Sequence, residues 1–171
     1  LVTTTLGALA VGSEVNVERA ARQDAEVGGH VLSGHVDVRA TLAQVRRPEN
    51  NHVLRIAVAA PWMRYVFAKG YIAVNGASLT VAEATHEADG SGWFEAWLIP
   101  ETLRMTTFGD RRVGDLLNVE IERGTQVVVD TVRDALEERL GPLMPAFEAL
   151  LKERGLAVEE LAPRSLPTPR G

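Results

Sequence analysis

The sequence predicts an all-β domain, a small closed barrel or a sandwich, followed by an amphipathic α-helix. Three observations carry that expectation. Six short runs of β-favouring residues, each bounded by turn residues, fall within about 90 positions. Asn75-Gly76 stands between IAV and ASLTV, and this dipeptide marks a tight hairpin because both central positions of a type I′ turn need positive φ. From Thr125 the apolar residues recur every fourth position, at Val128, Val132, Leu136 and Leu140, which is a helical stripe.

The predicted strands are His35–Val45, Val53–Ala59, Tyr71–Val74, Ser78–Ala84, Trp93–Ile99 and Leu117–Glu122. Breaks fall at Arg47-Pro48-Glu49-Asn50-Asn51, at Asn75-Gly76 and at Asp89-Gly90-Ser91-Gly92. The Asn75-Gly76 turn should pair the Tyr71 and Ser78 strands. Pro61–Ala68 reads as a short helix, with proline at its first position and Gly70 just past its end. The later helix takes Thr125 as N-cap and Gly141 as stop, about 16 residues, and its stripe needs a partner in this barrel or in a neighbouring subunit. A second helical segment, Pro145–Arg154, precedes a proline-rich stretch, APRSLPTPRG, expected to be a frayed tail. The three tryptophans, Trp62, Trp93 and Trp97, are assigned to the core as large apolar groups.

The length of 171 residues suits one domain with an appendage, and a chain 46% hydrophobic and 24% charged can bury a sizeable core. Eighteen basic against 23 acidic residues give a net charge of −5, the wrong sign for tracking a phosphate backbone, so nucleic acid is not an expected partner. The sequence has no cysteine, which removes disulfides, thiolate zinc sites and cysteine nucleophiles and fits a reducing cytoplasm. No apolar run reaches membrane-spanning length and no signal peptide opens the chain, so neither a membrane nor secretion is expected.

The chain contains an internal echo. Laid without gaps over Leu103 to Glu122, Leu1 to Ala20 shows nine identities at a constant offset of 102: Leu1, Thr4, Thr5, Gly7, Val11, Gly12, Asn16, Val17 and Glu18 match Leu103, Thr106, Thr107, Gly109, Val113, Gly114, Asn118, Val119 and Glu120. A fixed offset of domain size points to a tandem duplication whose first copy is represented here by its last element, with a parent chain expected to begin about 80 residues upstream.

Several positions could carry chemistry. His30 and His35 lie in a glycine-rich stretch, VGGHVLSGHVD, that enters a strand. The dull reading is turn glycines with loop-capping histidines. The functional reading lets backbone approach a flat ligand while His35 donates or shuttles a proton near neutrality. A metal site is not expected, since no third ligand of suitable type is near. Ser78 and Thr80 share one strand face, which suits either a polyhydroxylated ligand or an ordinary half-exposed strand. Lys69 is either a solvated lysine or a charge over the same mouth. Leu98-Ile99-Pro100-Glu101-Thr102-Leu103 ends a strand at a proline, leaving backbone groups free to read the amide edges of a ligand.

Five motifs in order and spacing, VGSEVNVERA, GGHVLSGHVD, KGYIAVNGASLTV, WLIPETLRMTTFG and VGDLLNVEIERGTQVVVDTV, closely resemble the riboflavin synthase family of lumazine-binding tandem-barrel proteins over about Leu1 to Glu138. The resemblance implies a six-stranded antiparallel Greek-key barrel with a C-terminal helix that helps form a homotrimer. It divides the chain into the last strand of a first barrel with its linker (1–20), a second barrel (21–123), an oligomerisation helix (124–141) and a helical extension with disordered tail (142–171). The implied reaction is a cofactor-free transferase dismutation of two 6,7-dimethyl-8-ribityllumazine molecules to riboflavin and 5-amino-6-ribitylamino-pyrimidinedione. It implies association with lumazine synthase as well.

Carried over position by position, the resemblance gives a substrate pocket of Gly34, His35, Val36, Lys69, Ser78, Leu79, Thr80, Trp97, Leu98, Ile99, Pro100, Glu101 and Thr102, with His35, Ser78, Thr80 and Asn75 as catalytic candidates. The family often has aspartate at the position of Asn75, and an amide there can hydrogen-bond but cannot take a proton. With most of a first barrel missing from the sequence, the expectation is binding of one ligand and poor turnover. A non-catalytic lumazine or flavin carrier, or an inactive fragment, is the alternative. An oligonucleotide-binding barrel is the third reading, disfavoured by the net negative charge.

Overall fold

A computed structural model describes residues 3–20, 22, 24, 26–49 and 51–155. The chain divides into two compact units, Leu1–Val129 and Asp130–Gly171. The first holds six strands, β1 (Val38–Arg46), β2 (His52–Val58), β3 (Tyr71–Val74), β4 (Ala77–His86), β5 (Gly92–Leu98) and β6 (Leu116–Ile121). They close into a barrel in the order β1-β2-β5-β4-β3-β6, every neighbouring pair antiparallel. Because β3, β4 and β5 follow one another while β6 returns beside β3, the connectivity is a Greek key.

Alternation builds the interior. Leu42, Leu54, Ile56, Ile72, Val74, Val81, Phe94, Leu117 and Val119 are essentially inaccessible and pack as one cluster, joined by Met63, Val66 and Phe108 from the connections. Register shifts between Leu42 and Gln44 on β1 and between Val81 and Glu83 on β4 bend the strands as closure demands. On β5 the carboxylate of Glu95 is buried and takes hydrogen bonds from Arg46 (2.6 Å) and Arg55 (2.7 and 2.9 Å), and Arg55 lies 3.7 Å over the Trp93 ring. The Asn75-Gly76 turn has the predicted positive φ at both residues, 45° and 78°, and β3 pairs β4 across it.

Some local expectations give way to side-chain competition. β1 starts at Val38 instead of His35, because Ser33 and Gly34 bond the Glu120 carboxylate and make no ladder. Pro61–Ala68 shortens to one 3₁₀ turn, Trp62–Tyr65, after which Val66 enters the core as extended chain. The segment after Leu98 is a helix, α1 (Pro100–Met105), with proline in its first turn and the Leu103 N–H donating to Ile99 O. Trp97 is 51% exposed, so it is no core residue, while Trp62 packs half-buried on the core.

Helix α2 (Arg123–Leu140) begins two residues before Thr125. Glu122 does the capping, its carboxylate accepting the Gly124 and Thr125 amides at 3.1 and 2.7 Å. In the second unit a 3₁₀ turn, Gly141–Leu143, follows α2 and leads into α3 (Met144–Glu153). Val128, Val132, Leu136 and Leu140 on α2 are all at least half exposed, so nothing among the described residues fully covers the stripe. The proline-rich stretch at 162–171 and Leu1 of the internal echo lie outside the described residues.

Candidate functional site

Direct pairing of Tyr71 with Thr80 and of Ala73 with Ser78 puts these four residues on the outer face of the β3–β4 hairpin, while Ile72 and Leu79 point inward. The glycine-rich stretch 28–36 crosses this face. Its His30 donates a backbone N–H to Ser78 Oγ (3.1 Å), places Nδ1 2.6 Å from the same oxygen, and stacks on the Tyr71 ring at 5.5 Å. Gly29 permits the approach: a Cβ there would lie 2.4 Å from Ser78 Oγ, and φ is +111°. Further along, the Glu120 carboxylate accepts from Ser33 N (2.6 Å), Ser33 Oγ (2.9 Å) and Gly34 N (3.1 Å). Two anchors, Ser78 on β4 and Glu120 on β6, thus hold the loop against the barrel.

Between loop and sheet lies a cleft of about 440 Å³ lined in part by His30, Gly34, Val36, Ala73 and Glu120, a volume in the range of small-ligand sites. Burial lowers the His30 pKa from its usual value, against the opposing fields of Glu122, Glu120 and Glu18. Its Nε2 is buried and has no hydrogen-bond partner among the described residues. Nδ1 and the Ser78 hydroxyl share one proton between them, and the tautomer of the ring sets which of the two donates. The structure therefore couples Ser78 to His30. His35 stands exposed, with Nδ1 3.3 Å from Ser33 Oγ.

The remaining expected residues fall into groups. Thr80 and Trp97 are exposed next to the Val81–Ala96 rung, and the Lys69 N–H donates to Val81 O at 2.7 Å, which brings Lys69 to the same edge. Ile99 is 59% exposed and leads into α1, whereas Leu79 and Leu98 are buried core residues that can support a ligand only from behind. Pro100, Glu101 and Thr102 form the first turn of α1: the Glu101 carboxylate is held by Arg104 at 2.6 and 2.9 Å, and Thr102 O accepts the Thr106 hydroxyl. Asn75 is bound into the turn, its N–H donating to Asn118 O and its Oδ1 accepting the Asn118 N–H, both 2.8 Å. No group of three acidic or histidine residues that could hold a metal ion occurs among the described residues. The sequence reading had no signal for Tyr71, Glu120 or Asn118, whose roles depend on strand register.

Residues 33–122 match the family model of the lumazine binding domain. The chain is 44% identical over 148 residues to the riboflavin synthase of Escherichia coli K12, covering 85% of this chain and 67% of that protein. The chain belongs to the riboflavin synthase family of lumazine-binding proteins. The riboflavin synthase of Buchnera aphidicola subsp. Schizaphis graminum is 35% identical over 144 residues, covering 84% of this chain and 67% of that one. LumP in complex with riboflavin superposes with a TM-score of 0.58 at 25% identity, covering 71% of this chain and 63% of that chain. LumP in complex with 6,7-dimethyl-8-ribityl lumazine gives 0.57 at 23%, covering 71% and 62%, and shows the same fold. The chain thus spans about two thirds of the family enzymes it matches, and less of LumP.

Within this riboflavin synthase family member the two echoed stretches share one turn, but not the strand after it: Leu116–Ile121 is β6, whereas residues 13–20, expected to supply the last strand of a first barrel, run without ladder partners among the described residues. Thr5–Ala8 and Thr107–Asp110 are both 3₁₀ turns, their terminal amides closing on Leu6 O and Phe108 O, and Gly12 and Gly114 have φ of 92° and 97°. They also exchange equivalent bonds: Thr5 N–H donates to Asn118 Oδ1 (2.7 Å) and Thr107 N–H to Asn16 Oδ1 (2.8 Å). A second cleft, about 660 Å³, opens between the stretches and is lined in part by Asn16, Gly34, Asn75 and Asn118.

Proposed function

We propose that the chain carries the second lumazine-binding barrel of a riboflavin synthase and acts in the dismutation of 6,7-dimethyl-8-ribityllumazine to riboflavin and 5-amino-6-ribitylamino-pyrimidinedione. The observation that carries this reading is the outer face of the β3–β4 hairpin. There Ser78 lies under a glycine-rich loop and Thr80 stands exposed on the same face, with Lys69 and the exposed rings of Tyr71 and Trp97 beside them. Flat exposed aromatics and a row of hydroxyls suit a heterocycle bearing a ribityl chain. Ser78, Thr80 and Lys69 take the ribityl hydroxyls, the Trp97 to Thr102 segment the pyrimidine edge, and Gly34, His35 and Val36 the rim. His35 is the solvent-facing proton carrier.

The chemistry asks little of the protein. The methyl group on the lumazine ring is acidic because its anion delocalises into the heterocycle, and that carbanion attacks the second molecule. A four-carbon unit passes from donor to acceptor, so one molecule gains the third ring and the other leaves as the diamine. No external oxidant or reductant is consumed. The residues must hold two ligands face to face and carry protons, which is catalysis by orientation and general acid–base transfer. One barrel holds one ligand, so turnover requires a second barrel facing it.

The uncovered Val128, Val132, Leu136 and Leu140 stripe supports assembly into a homotrimer, and the absence of cysteine fits a cytoplasmic setting. Association with lumazine synthase, which would hand over the substrate, belongs to the same reading. Asn75 favours a second one, a non-catalytic lumazine carrier, because an amide committed to the Asn118 backbone supplies no proton acceptor. Titration with 6,7-dimethyl-8-ribityllumazine, followed by ligand fluorescence and by growth of flavin absorbance, tests both. Saturable quenching with flavin formation once a complementary first barrel is supplied supports the synthase, quenching without flavin even then the carrier, and no quenching overturns both.

A further inference from the structure

The side chain of Asn16 spans two parts of the molecule that the sequence separates by 59 and 91 residues. Its Nδ2 donates to the backbone carbonyl of Asn75 at 2.9 Å, and its Oδ1 accepts the Thr107 N–H at 2.8 Å. The two partners fix the orientation of the amide, since one is an acceptor only and the other a donor only. Asn75 is the first residue of the hairpin turn. Its N–H and side chain are already engaged by β6 through Asn118, so Asn16 completes the set by taking the carbonyl.

We infer that Asn16 is a positioning residue for the lumazine-holding hairpin, acting through the Asn75-Gly76 turn; this rests on the function proposed above. The turn sets the register in which Ala73 faces Ser78 and Tyr71 faces Thr80, and thereby the placement of both hydroxyls. Asn16 belongs to the first of the echoed stretches, while the hairpin belongs to the barrel. The first stretch therefore reaches the substrate face of the second copy without touching the substrate. Asn118, its counterpart at the 102-residue offset, receives the Thr5 amide in the same way, so the contact is one half of a reciprocal pair. A strap that served only to hold the stretch down would have no need to end on the carbonyl of the turn.

The test compares the full chain with Asn16→Asp, Asn16→Ala and Ser13→Ala. Asn16→Asp keeps the acceptor for Thr107 and loses the donor to Asn75; Ser13→Ala removes only the Ala10 N–H bond inside the same stretch. Each is titrated with 6,7-dimethyl-8-ribityllumazine, melted, and examined by ¹⁵N NMR at the Asn75, Gly76 and Ser78 amides. Both Asn16 variants should bind about three- to tenfold more weakly, the scale of one hydrogen bond, with displaced Gly76 and Ser78 resonances, while Ser13→Ala binds as the parent. A folded Asn16→Asp with parental affinity and unmoved amides overturns the inference, even if its melting point falls. If Asn16→Ala does not fold, the Asp variant decides. If the parent itself fails to bind, the functional reading falls, and the resonance shifts still decide whether Asn16 positions the turn.

Discussion

The Nδ1 of His30 lies 2.6 Å from the Oγ of Ser78, and the histidine backbone N–H donates to that same oxygen at 3.1 Å. The hydroxyl is thus held in place by the loop above it before any ligand arrives. Ser78→Ala removes both bonds together with the proposed ribityl contact. Lumazine affinity should fall about tenfold, read by fluorescence titration, with a loss of about 1 kcal/mol in urea unfolding. Unchanged affinity would remove Ser78 from the binding face.

Gly29→Ala should disturb the same contact by a different route. The added methyl would meet Ser78 Oγ at 2.4 Å on a backbone with φ of +111°. Loop 28–36 must lift away, costing about 1–3 kcal/mol of stability with weakened binding. Parental melting temperature and affinity together would show that the loop does not press on the hairpin.

Stability should decline in acid through Glu95. Burial alone would raise its pKa, but hydrogen bonds and charge from Arg46 and Arg55 outweigh that and hold it below the usual carboxylate value. A group depressed in the fold binds protons less readily there than in the unfolded chain. Its contribution is therefore present above the ordinary carboxylate pKa and is lost as pH falls through the lower, folded value. The melting temperature of the parent should drop more steeply below that range than that of Glu95→Gln, which itself loses about 2 kcal/mol at neutral pH. Parallel pH profiles would contradict the assignment.

At Asn75 the prediction separates hydrogen bonding from acid–base chemistry. Asn75→Asp keeps the acceptor for the Asn118 N–H and should fold with parental stability, whereas Asn75→Ala loses it and about 1 kcal/mol in denaturant unfolding. If the aspartate variant alone gains flavin-forming activity when a complementary first barrel is supplied, the amide is what limits the parent.

On α2, Leu136→Glu puts a charge into the middle of the uncovered stripe. Light scattering should show a trimeric parent and a smaller variant, both with barrel signals intact in NMR. A parent that is monomeric at high concentration would refute the assembly.

Much of the barrel could be read in advance because alternation and turn chemistry are local. The Asn75-Gly76 hairpin needed only its own dipeptide and flanks, and the hydroxyls of Ser78 and Thr80 share a face by strand period alone. What escaped depends on distant partners. Glu120 draws Ser33 and Gly34 out of the first strand, Glu122 takes the capping role from Thr125, and Trp97, large and apolar, faces outward. His30 and His35 look alike in sequence, and only the register that brings Ser78 under the loop distinguishes them. Which barrel face is proposed to hold substrate rests on the family resemblance, since spacing left the alternatives open.

Closure of β1 onto β6 leaves this sheet without a free border. Another molecule therefore cannot extend this barrel by lending a strand to its six. Any companion must be recognised through loops, helices and side chains, so partner choice can be rewritten by surface substitution while the ladder itself stays untouched.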